Sequence, residues 1–224
     1  MFGAIVPRYD LINRLMTLGL DRRWRRRTVA LSEPYDAVIL DIATGTGDLA
    51  CEAARQGARR IIGADFCPPM VAAARVKVAC ALRADSKRGS IIDFVVGDAM
   101  GLPFPARSFD AVVNGFMLRN VEDLAMTFAE LRRVIKPGGR LVCLDLTPPR
   151  GAMRHFFAFY IATAVPLLGI LVGRNYGAYR YLFQSLKLHP DAGTIAGMMR
   201  GAGFAEVNYT VIGFGTVAIH VGRK

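Results

Sequence analysis

Acidic residues stand on both sides of a glycine-rich loop in the stretch LDIATGTGDLA, residues 40–50. Gly45 and Gly47 would let the backbone turn tightly and come close to a ligand. The same letters satisfy the loose dinucleotide pattern GxGxxA, which is a weak signal on its own. Asp41 precedes the loop and Asp48 follows it, and two carboxylates there would repel a pyrophosphate. The stretch therefore favours a ligand that is cationic at this point, although Asp48 alone would equally suit a helix cap.

Two further acids follow predicted strands at the same edge of the sheet. Asp65 closes IIGADF, a position where a carboxylate commonly binds ribose hydroxyls. Asp98 closes VVGDAM and, beside Ala99, is placed to accept the exocyclic amine of adenine. S-adenosylmethionine carries a sulfonium, an ammonium and a nucleoside but no phosphate, so it matches this set of acids. We therefore predict S-adenosylmethionine as the cofactor, and the sequence contains no GxxxxGK[ST] phosphate loop.

An alternation of strands and helices would bring these acids together. Short β-branched apolar runs predict five strands and a terminal hairpin, at 37–43, 59–66, 91–99, 109–116, 140–146, 206–212 and 216–222. Helical patterns are predicted at 10–31, 48–57, 68–84, 121–136 and 191–204, and Pro-Gly-Gly at 137–139 is expected to stop the fourth of them. This order is typical of an α/β fold in which helices cover both faces of a mostly parallel sheet, here with one antiparallel strand.

The composition bounds the number of domains and the class of partner. With 224 residues and 53% hydrophobic content, the chain is expected to form a single domain, 1–224. The net charge of +11 is concentrated near the start, where RRWRRR occupies residues 22–27. Such a block attracts nucleic acid or an anionic membrane, unless it is simply a solvated helix face. No basic motif interleaved with aromatic residues follows it, so we predict no nucleic-acid partner.

The cysteines and the longest apolar run predict neither a metal site nor a spanning helix. The four cysteines are scattered without a CxxC pair, which indicates reduced thiols, and no metal ligand set is predicted. The N-terminus lacks the apolar core of a secretory signal. The run at 156–172 is shorter than the ~20 residues of a spanning helix, and Pro166 interrupts it. We predict a buried or interface-lying helix there, within an apolar cap at 147–190.

Several motifs resemble those of the quinone-biosynthesis C-methyltransferases, which methylate demethylmenaquinol and the 2-methoxy-6-polyprenyl-benzoquinol precursor of ubiquinone. The glycine loop and KPGG recur in many methyltransferases, whereas LRNV, YRYL with a following HP, and the opening YDLIN with MTLGLDRRWRR are more specific. The resemblance covers the chain from residue 2 to residue 223. It implies a class I S-adenosylmethionine-dependent methyltransferase fold, Rossmann-like and with seven strands, and an N-terminal helical lid at 1–31 containing Tyr9, Asp10 and Asn13.

The resemblance and the strand-end acids together give the candidate site residues. For cofactor binding these are Asp41, Gly45, Thr46, Gly47, Asp65, Asp98, Ala99 and Gly115. For catalysis they are Arg119, Asn120, Tyr160 and His189. Arg119 is expected to stabilise a phenolate or orient a water, Asn120 to hold a hydroxyl, and His189 to act as a base. A salt bridge or helix cap remains an alternative role for Arg119 and Asn120, and packing is an alternative for Tyr160.

The chain departs from the family pattern at the acceptor side of the predicted pocket. Gly115 stands where the family usually has serine, Met117 where it has glycine, and Asp145-Leu146-Thr147 where it has Glu-Phe-Ser. These differences leave open a phospholipid amine, a sterol-like lipid or a secondary metabolite as the methyl acceptor. A non-catalytic scaffold of a quinone-biosynthesis complex is a further alternative.

The expected partners are a polyprenyl quinol and an anionic membrane. A polyprenyl tail favours apolar surroundings by about 0.8 kcal/mol per buried methylene, which the predicted cap would supply. The arginine block would hold the protein on anionic head groups. We therefore predict a cytoplasmic protein associated peripherally with the inner face of the membrane, and family members often form homodimers.

Overall fold

The computed structural model describes residues 9–84, 90–149 and 189–224, together with the single residues 151 and 163. The helices are α1 (Tyr9–Met16), α2 (Asp21–Leu31), α3 (Asp48–Arg55), α4 (Pro68–Ala84), α5 (Leu124–Val134) and α6 (Ala192–Gly201). The strands are β1 (Val38–Ile42), β2 (Arg60–Asp65), β3 (Ile91–Val96), β4 (Phe109–Gly115), β5 (Ile135–Leu146), β6 (Ala205–Ile212) and β7 (Val217–Arg223).

The strands form one seven-stranded sheet in the order β3-β2-β1-β4-β5-β7-β6. Strands β1 to β5 pair in parallel, and β7 is antiparallel to both of its neighbours, β5 and β6. The predicted α/β fold with one antiparallel member is therefore confirmed. The strand order reverses between β1 and β4, and ligands of such sheets bind in the crevice outside the carboxyl ends of the strands at this point.

Apolar packing covers both faces of the sheet. One core cluster joins strand residues to side chains of α2, α3 and α4, and a second joins them to α5 and α6. Ile39 and Leu40 are neighbours in β1, are both fully buried, and belong to different clusters. Successive side chains of a strand point to opposite faces, so a strand buried on both sides reads as the continuous apolar run seen in the sequence.

Two helix boundaries differ from those predicted. The single helix expected at 10–31 is two helices, because Gly19 adopts a left-handed φ of +78° between them. The helix expected to begin at 121 and to be stopped by Pro-Gly-Gly runs from Leu124 to Val134, and the Lys-Pro-Gly-Gly segment lies within β5 at a register shift. A Cβ on Gly139 would lie 2.5 Å from the carbonyl oxygen of Asp110, so glycine is required for this close approach of two strands.

Most of the predicted apolar cap lies outside the described residues. Tyr160, Tyr181 and the aromatic run at 156–172 belong to that part of the chain, so the predictions on them stay predictions. In the segments that the structure does describe, no helix is long and apolar enough to cross a membrane. The proposed boundaries of the lid and the cap likewise remain predictions.

Candidate functional site

A cavity of about 250 Å³ opens beyond the carboxyl ends of β1, β2 and β4. Five of the predicted cofactor-binding residues line it, namely Gly45, Asp65, Asp98, Ala99 and Gly115. The remaining described wall is mainly apolar and includes Phe66, Met70, Phe116 and Met117. The cavity therefore lies at the reversal of the strand order, where the fold leads us to expect a ligand.

Asp65 shapes the entrance of this cavity through two backbone hydrogen bonds. The Gly45 N–H donates to one carboxylate oxygen at 2.8 Å, and the Cys67 N–H donates to the other at 2.9 Å. Burial raises the pKa of Asp65, and these two N–H donors oppose the rise. The carboxylate thus ties the end of β2 to the glycine loop, and its free lone pairs remain available for ribose hydroxyls.

Asp98 and Ala99 form the next part of the wall, in the loop after β3. The Met100 N–H donates to the Asp98 carboxylate at 2.9 Å, which holds this loop in a tight turn. Ala99 is buried and presents a small apolar surface to the cavity. An acid beside a small apolar residue suits the amine edge and the flat face of adenine, and this role of the pair stays a prediction.

The charge of the cavity wall is negative. Asp65, Asp98 and Glu122 line it, whereas none of the described lining residues is a lysine or an arginine. A pyrophosphate would find no cationic partner on these walls and would be repelled by the acids. S-adenosylmethionine, with its sulfonium and ammonium and without phosphate, fits the donors and acceptors that are present.

Three of the predicted cofactor contacts, Asp41, Thr46 and Gly47, do not line the cavity as described. Asp41 is fully buried beneath the loop, where it accepts hydrogen bonds from the Thr44 hydroxyl at 2.6 Å and the Ala50 N–H at 3.0 Å. Gly47 has a φ of +84°, and a Cβ there would press on Val78 at 3.2 Å. In the described structure, these residues shape and support the loop.

Asp48 has a different role from the one its position in the sequence suggested. Its carboxylate forms ion pairs with Arg25 of α2, at 2.8 Å, and with Lys77 of α4. These two cations lower the pKa of Asp48 against the opposing effect of burial. The protein itself therefore neutralises the charge of Asp48. The expectation of a cationic ligand rests instead on the acids that line the cavity, Asp65, Asp98 and Glu122.

The buried carboxyl of Asp41 should make folding stability depend on pH. Burial raises the pKa of Asp41 from 3.8 to about 7. Between about pH 4 and pH 7 the folded protein holds a proton that the unfolded chain has released, so stability falls as the pH rises through this window. In Asp41→Asn this fall should be smaller by on the order of 4 kcal/mol, at 1.36 kcal/mol per pKa unit.

Chemical denaturation of both proteins at pH 4 and pH 7.5 measures this difference. Asp36→Asn is a suitable control, because Asp36 is exposed and lies 3.7 Å from Arg59 in a surface ion pair. Parallel stability curves for the wild type and Asp41→Asn would show that Asp41 titrates normally in the folded protein.

A buried polar cluster lies on the other side of the end of β4. Asp145, at the end of β5, is 1% exposed; its carboxylate accepts the Leu118 N–H at 2.6 Å and lies 3.8 Å from the Arg119 guanidinium. Within the part of the chain that the structure describes, Nε and one terminal nitrogen of Arg119 have no hydrogen-bond partner. Asn120 lines the cavity and donates to the Phe116 carbonyl at 3.1 Å.

His189 belongs to the same cluster. It is buried, and its ring is within hydrogen-bonding reach of the Leu146 backbone. Burial lowers the pKa of His189, which the nearby Asp145 opposes and Arg119 reinforces. A neutral imidazole can accept a proton, and the role of His189 as a base stays a prediction.

Sequence reasoning missed two residues that organise this region. Asp145 was singled out only as a departure from the family pattern, although it ends a buried strand as Asp41 and Asp65 do. Lys77 gave no signal in the sequence, because a lysine in the middle of an amphipathic helix is ordinary. Its importance depends on the two carboxylates that the fold brings to it.

Comparisons with known proteins identify the family. The sequence profile of the ubiE/COQ5 methyltransferase family matches residues 1–224. The chain belongs to this family. Solved structures share the fold: an S-adenosylmethionine-dependent methyltransferase from Mesorhizobium loti has a TM-score of 0.61 at 19% identity, covering 93% of this chain and 98% of its own. One from Aquifex aeolicus has a TM-score of 0.59 at 15% identity, with coverages of 84% and 82%.

Relatives in sequence span the same length. The demethylmenaquinone methyltransferase of Thermus thermophilus is 46% identical over 227 residues, which cover all of both chains. The ubiquinone/menaquinone biosynthesis C-methyltransferase UbiE of Desulfotalea psychrophila is 43% identical over all of this chain and 89% of its own length. The protein is thus an S-adenosylmethionine-dependent methyltransferase with the class I fold, as the sequence predicted.

Proposed function

We propose that this methyltransferase transfers a methyl group to a ring carbon of a polyprenylated quinol, either demethylmenaquinol or 2-methoxy-6-polyprenyl-1,4-benzoquinol. The observation that carries the proposal is an acidic cavity, with no lysine or arginine among its described lining residues, beside the cluster of Arg119, Asp145 and His189. The full-length similarity to enzymes with these names supports the same acceptor class.

The cofactor site supplies the methyl group and the orientation for its transfer. S-adenosylmethionine, when bound, offers a methyl already activated on a sulfonium, so the protein need not supply covalent chemistry. Asp65 would hold the ribose and Asp98 the adenine amine, while the Gly45 backbone approaches the cofactor closely. The buried side chains of Met70 and Met117 would supply apolar walls that keep water away from the reacting atoms.

The buried cluster would activate the ring carbon. Loss of a proton from the adjacent hydroxyl makes that carbon nucleophilic, and the resulting negative charge needs stabilisation. Arg119 would provide it, because its guanidinium stays cationic and has N–H groups without partners in the described structure. His189 would accept the hydroxyl proton, and Asn120 would hold a hydroxyl. Tyr160, in the undescribed cap, is proposed as a further ring contact.

The products formed in a bacterial host that lacks its own quinol C-methyltransferase test the function. We expect mass spectrometry to find the methylated quinone when this chain is expressed, but not with the empty vector or with Asp65→Asn. Purified protein should require a reductant, because only the reduced ring is sufficiently electron-rich. Methylation of a phospholipid amine or another lipid, without methylation of the quinol, would reject the proposal. This comparison is needed because Gly115 and Met117 differ from the residues usual in the family.

We further propose that the protein acts at the cytoplasmic face of an anionic membrane, where its acceptor resides. Helix α1 and the turn after it expose Leu11, Leu15 and Leu18, the last with 83% of its surface accessible. The adjoining α2 exposes four arginines, Arg22, Arg23, Arg26 and Arg27. Exposed leucines beside exposed cations suit insertion between anionic head groups. Homodimer formation remains a prediction.

Flotation with liposomes containing phosphatidylserine tests this surface. Glutamine at the four exposed positions of α2 should weaken binding about 1,000-fold, at roughly 1 kcal/mol for each arginine near the surface. Arg25 stays unchanged, because it pairs with Asp48. The matched control removes four exposed arginines outside α2, namely Arg59, Arg60, Arg107 and Arg223. Equal loss of liposome binding in both variants would show that only the net charge matters and would reject the proposed surface.

A further inference from the structure

Lys77 of α4 contacts two regions that are distant from it in the sequence, α1 and the glycine loop with the adjoining start of α3. Its ammonium donates to the Asp10 carboxylate of α1 at 2.6 Å, to the Thr46 hydroxyl of the glycine loop at 3.1 Å, and to the Asp48 carboxylate. The Thr46 hydroxyl in turn donates to the second oxygen of Asp10 at 2.7 Å. One ammonium thus connects α1, the loop between β1 and α3, and the start of α3.

Helix α1 depends on contacts of this kind for its position. It has eight residues, and a helix of this length is only marginally stable by itself in water. Leu11 and Leu15 on this helix remain exposed, so apolar burial of these side chains contributes little to its position. The bonds from Asp10 to Thr46 and Lys77 are therefore well placed to determine where α1 lies against the glycine loop.

The charges of the network explain why the cation is needed. Burial opposes the charge of Lys77, but the carboxylates of Asp48 and Asp10 outweigh it and raise the Lys77 pKa. Without the ammonium, Asp48 would keep its ion pair with Arg25 at 2.8 Å. Among the described residues, Asp10 would then have no ion-pair partner. The nearby Asp48 carboxylate would repel it, and with it α1, from the loop.

We propose that Lys77 is a positioning residue for the cofactor site, which couples the docking of α1 to the binding of S-adenosylmethionine. Thr46 lies between the two glycines that turn the backbone at the cavity, and Gly45 is held on its other side by Asp65. Lys77 thus secures the second half of the loop as Asp65 secures the first. The inference rests on the cofactor site, not on the identity of the methyl acceptor.

Calorimetric titration of the full-length chain with S-adenosylmethionine tests the proposal. In Lys77→Met the dissociation constant should rise about tenfold, whereas Lys77→Arg, which keeps the charge, should stay within about threefold of the wild type. Lys136→Met is the matched control: Lys136 pairs with Asp110 at 2.7 Å with similar exposure, but at the opposite edge of the sheet. An unchanged dissociation constant in Lys77→Met, or an equal change in Lys136→Met, would overturn the proposal.

Limited proteolysis without any methyl acceptor gives a second readout. Trypsin should cleave after Arg14 in α1 at least tenfold faster in Lys77→Met and in Asp10→Asn than in the wild type, and added cofactor should slow the cleavage. The double variant should be no worse than Lys77→Met alone, because both substitutions break the same link. Wild-type cleavage rates in both single variants would reject the link, whereas loss of quinol methylation alone would bear only on the proposed function.

Discussion

The substitution Asp65→Asn is expected to weaken the binding of S-adenosylmethionine about 100-fold. The two carboxylate oxygens of Asp65 accept from different backbone groups, the Gly45 and Cys67 N–H. An asparagine can replace only one of these oxygens, and its amide would face the other N–H as a second donor. Loss of a hydrogen bond to a charged group costs about 1.5–3 kcal/mol, and 1.4 kcal/mol corresponds to a factor of ten.

Calorimetry or equilibrium dialysis with the purified protein measures this effect. Asp93→Asn provides the control, because Asp93 lies on the neighbouring strand β3 and pairs with Arg60 at the surface, away from the cavity lining. The control should bind the cofactor as the wild type does, since exposed ion pairs contribute little. An Asp65→Asn protein that binds within threefold of the wild type would contradict the assignment of this cavity to the cofactor.

We expect Arg119→Lys to lower kcat by 100- to 1,000-fold while the affinity for S-adenosylmethionine is unchanged. Removing a preorganised donor to a developing anion has an effect of about this size. Lysine keeps the positive charge near the buried Asp145, so the folded protein is retained. Its compact ammonium cannot reproduce the planar fork of the guanidinium that would face both Asp145 and the phenolate.

A second substitution separates stability from catalysis. Arg119→Met removes the charge and leaves the Asp145 carboxylate buried without it, which should destabilise the protein by about 3–5 kcal/mol. Arg132→Lys serves as the control for Arg119→Lys, because Arg132 bonds to the Gly203 carbonyl and is not among the described residues that line the cavity. Single-turnover rates report the chemical step. A wild-type rate in Arg119→Lys would remove Arg119 from the mechanism.

Much of the fold was predictable because its signals are local. Each buried strand is a short apolar run, and each helix between strands has its own periodicity, so the alternation could be recognised without knowledge of tertiary contacts. The helix at Pro68–Ala84 matches the predicted range in both bounds. The differences occur where tertiary contacts override local preference, as at the Pro-Gly-Gly expected to form only a helix stop, which lies in a strand because β4 and β5 approach closely at Gly139.

The candidate site was predictable in part for a similar reason. Strand-end positions of a parallel sheet converge on one edge, so Asp65 and Asp98 could be assigned to one cavity from the sequence alone. The partners of Asp48 could not, because Lys77 lies 29 residues away and its position depends on how α4 packs. Asp48 therefore looked like a ligand contact, although the protein itself neutralises it.

The sequence by itself determined the class of fold, the acidic edge of the sheet and the family of the protein. These depend on residue types at positions that the strand–helix alternation already specifies. Only the tertiary structure decided which acids face the cavity, which are paired with Arg25 and Lys77, and that Asp145 lies beside Arg119. The physical reason is that burial and ion pairing are set by long-range packing, and these two properties decide whether a carboxylate is available to a ligand.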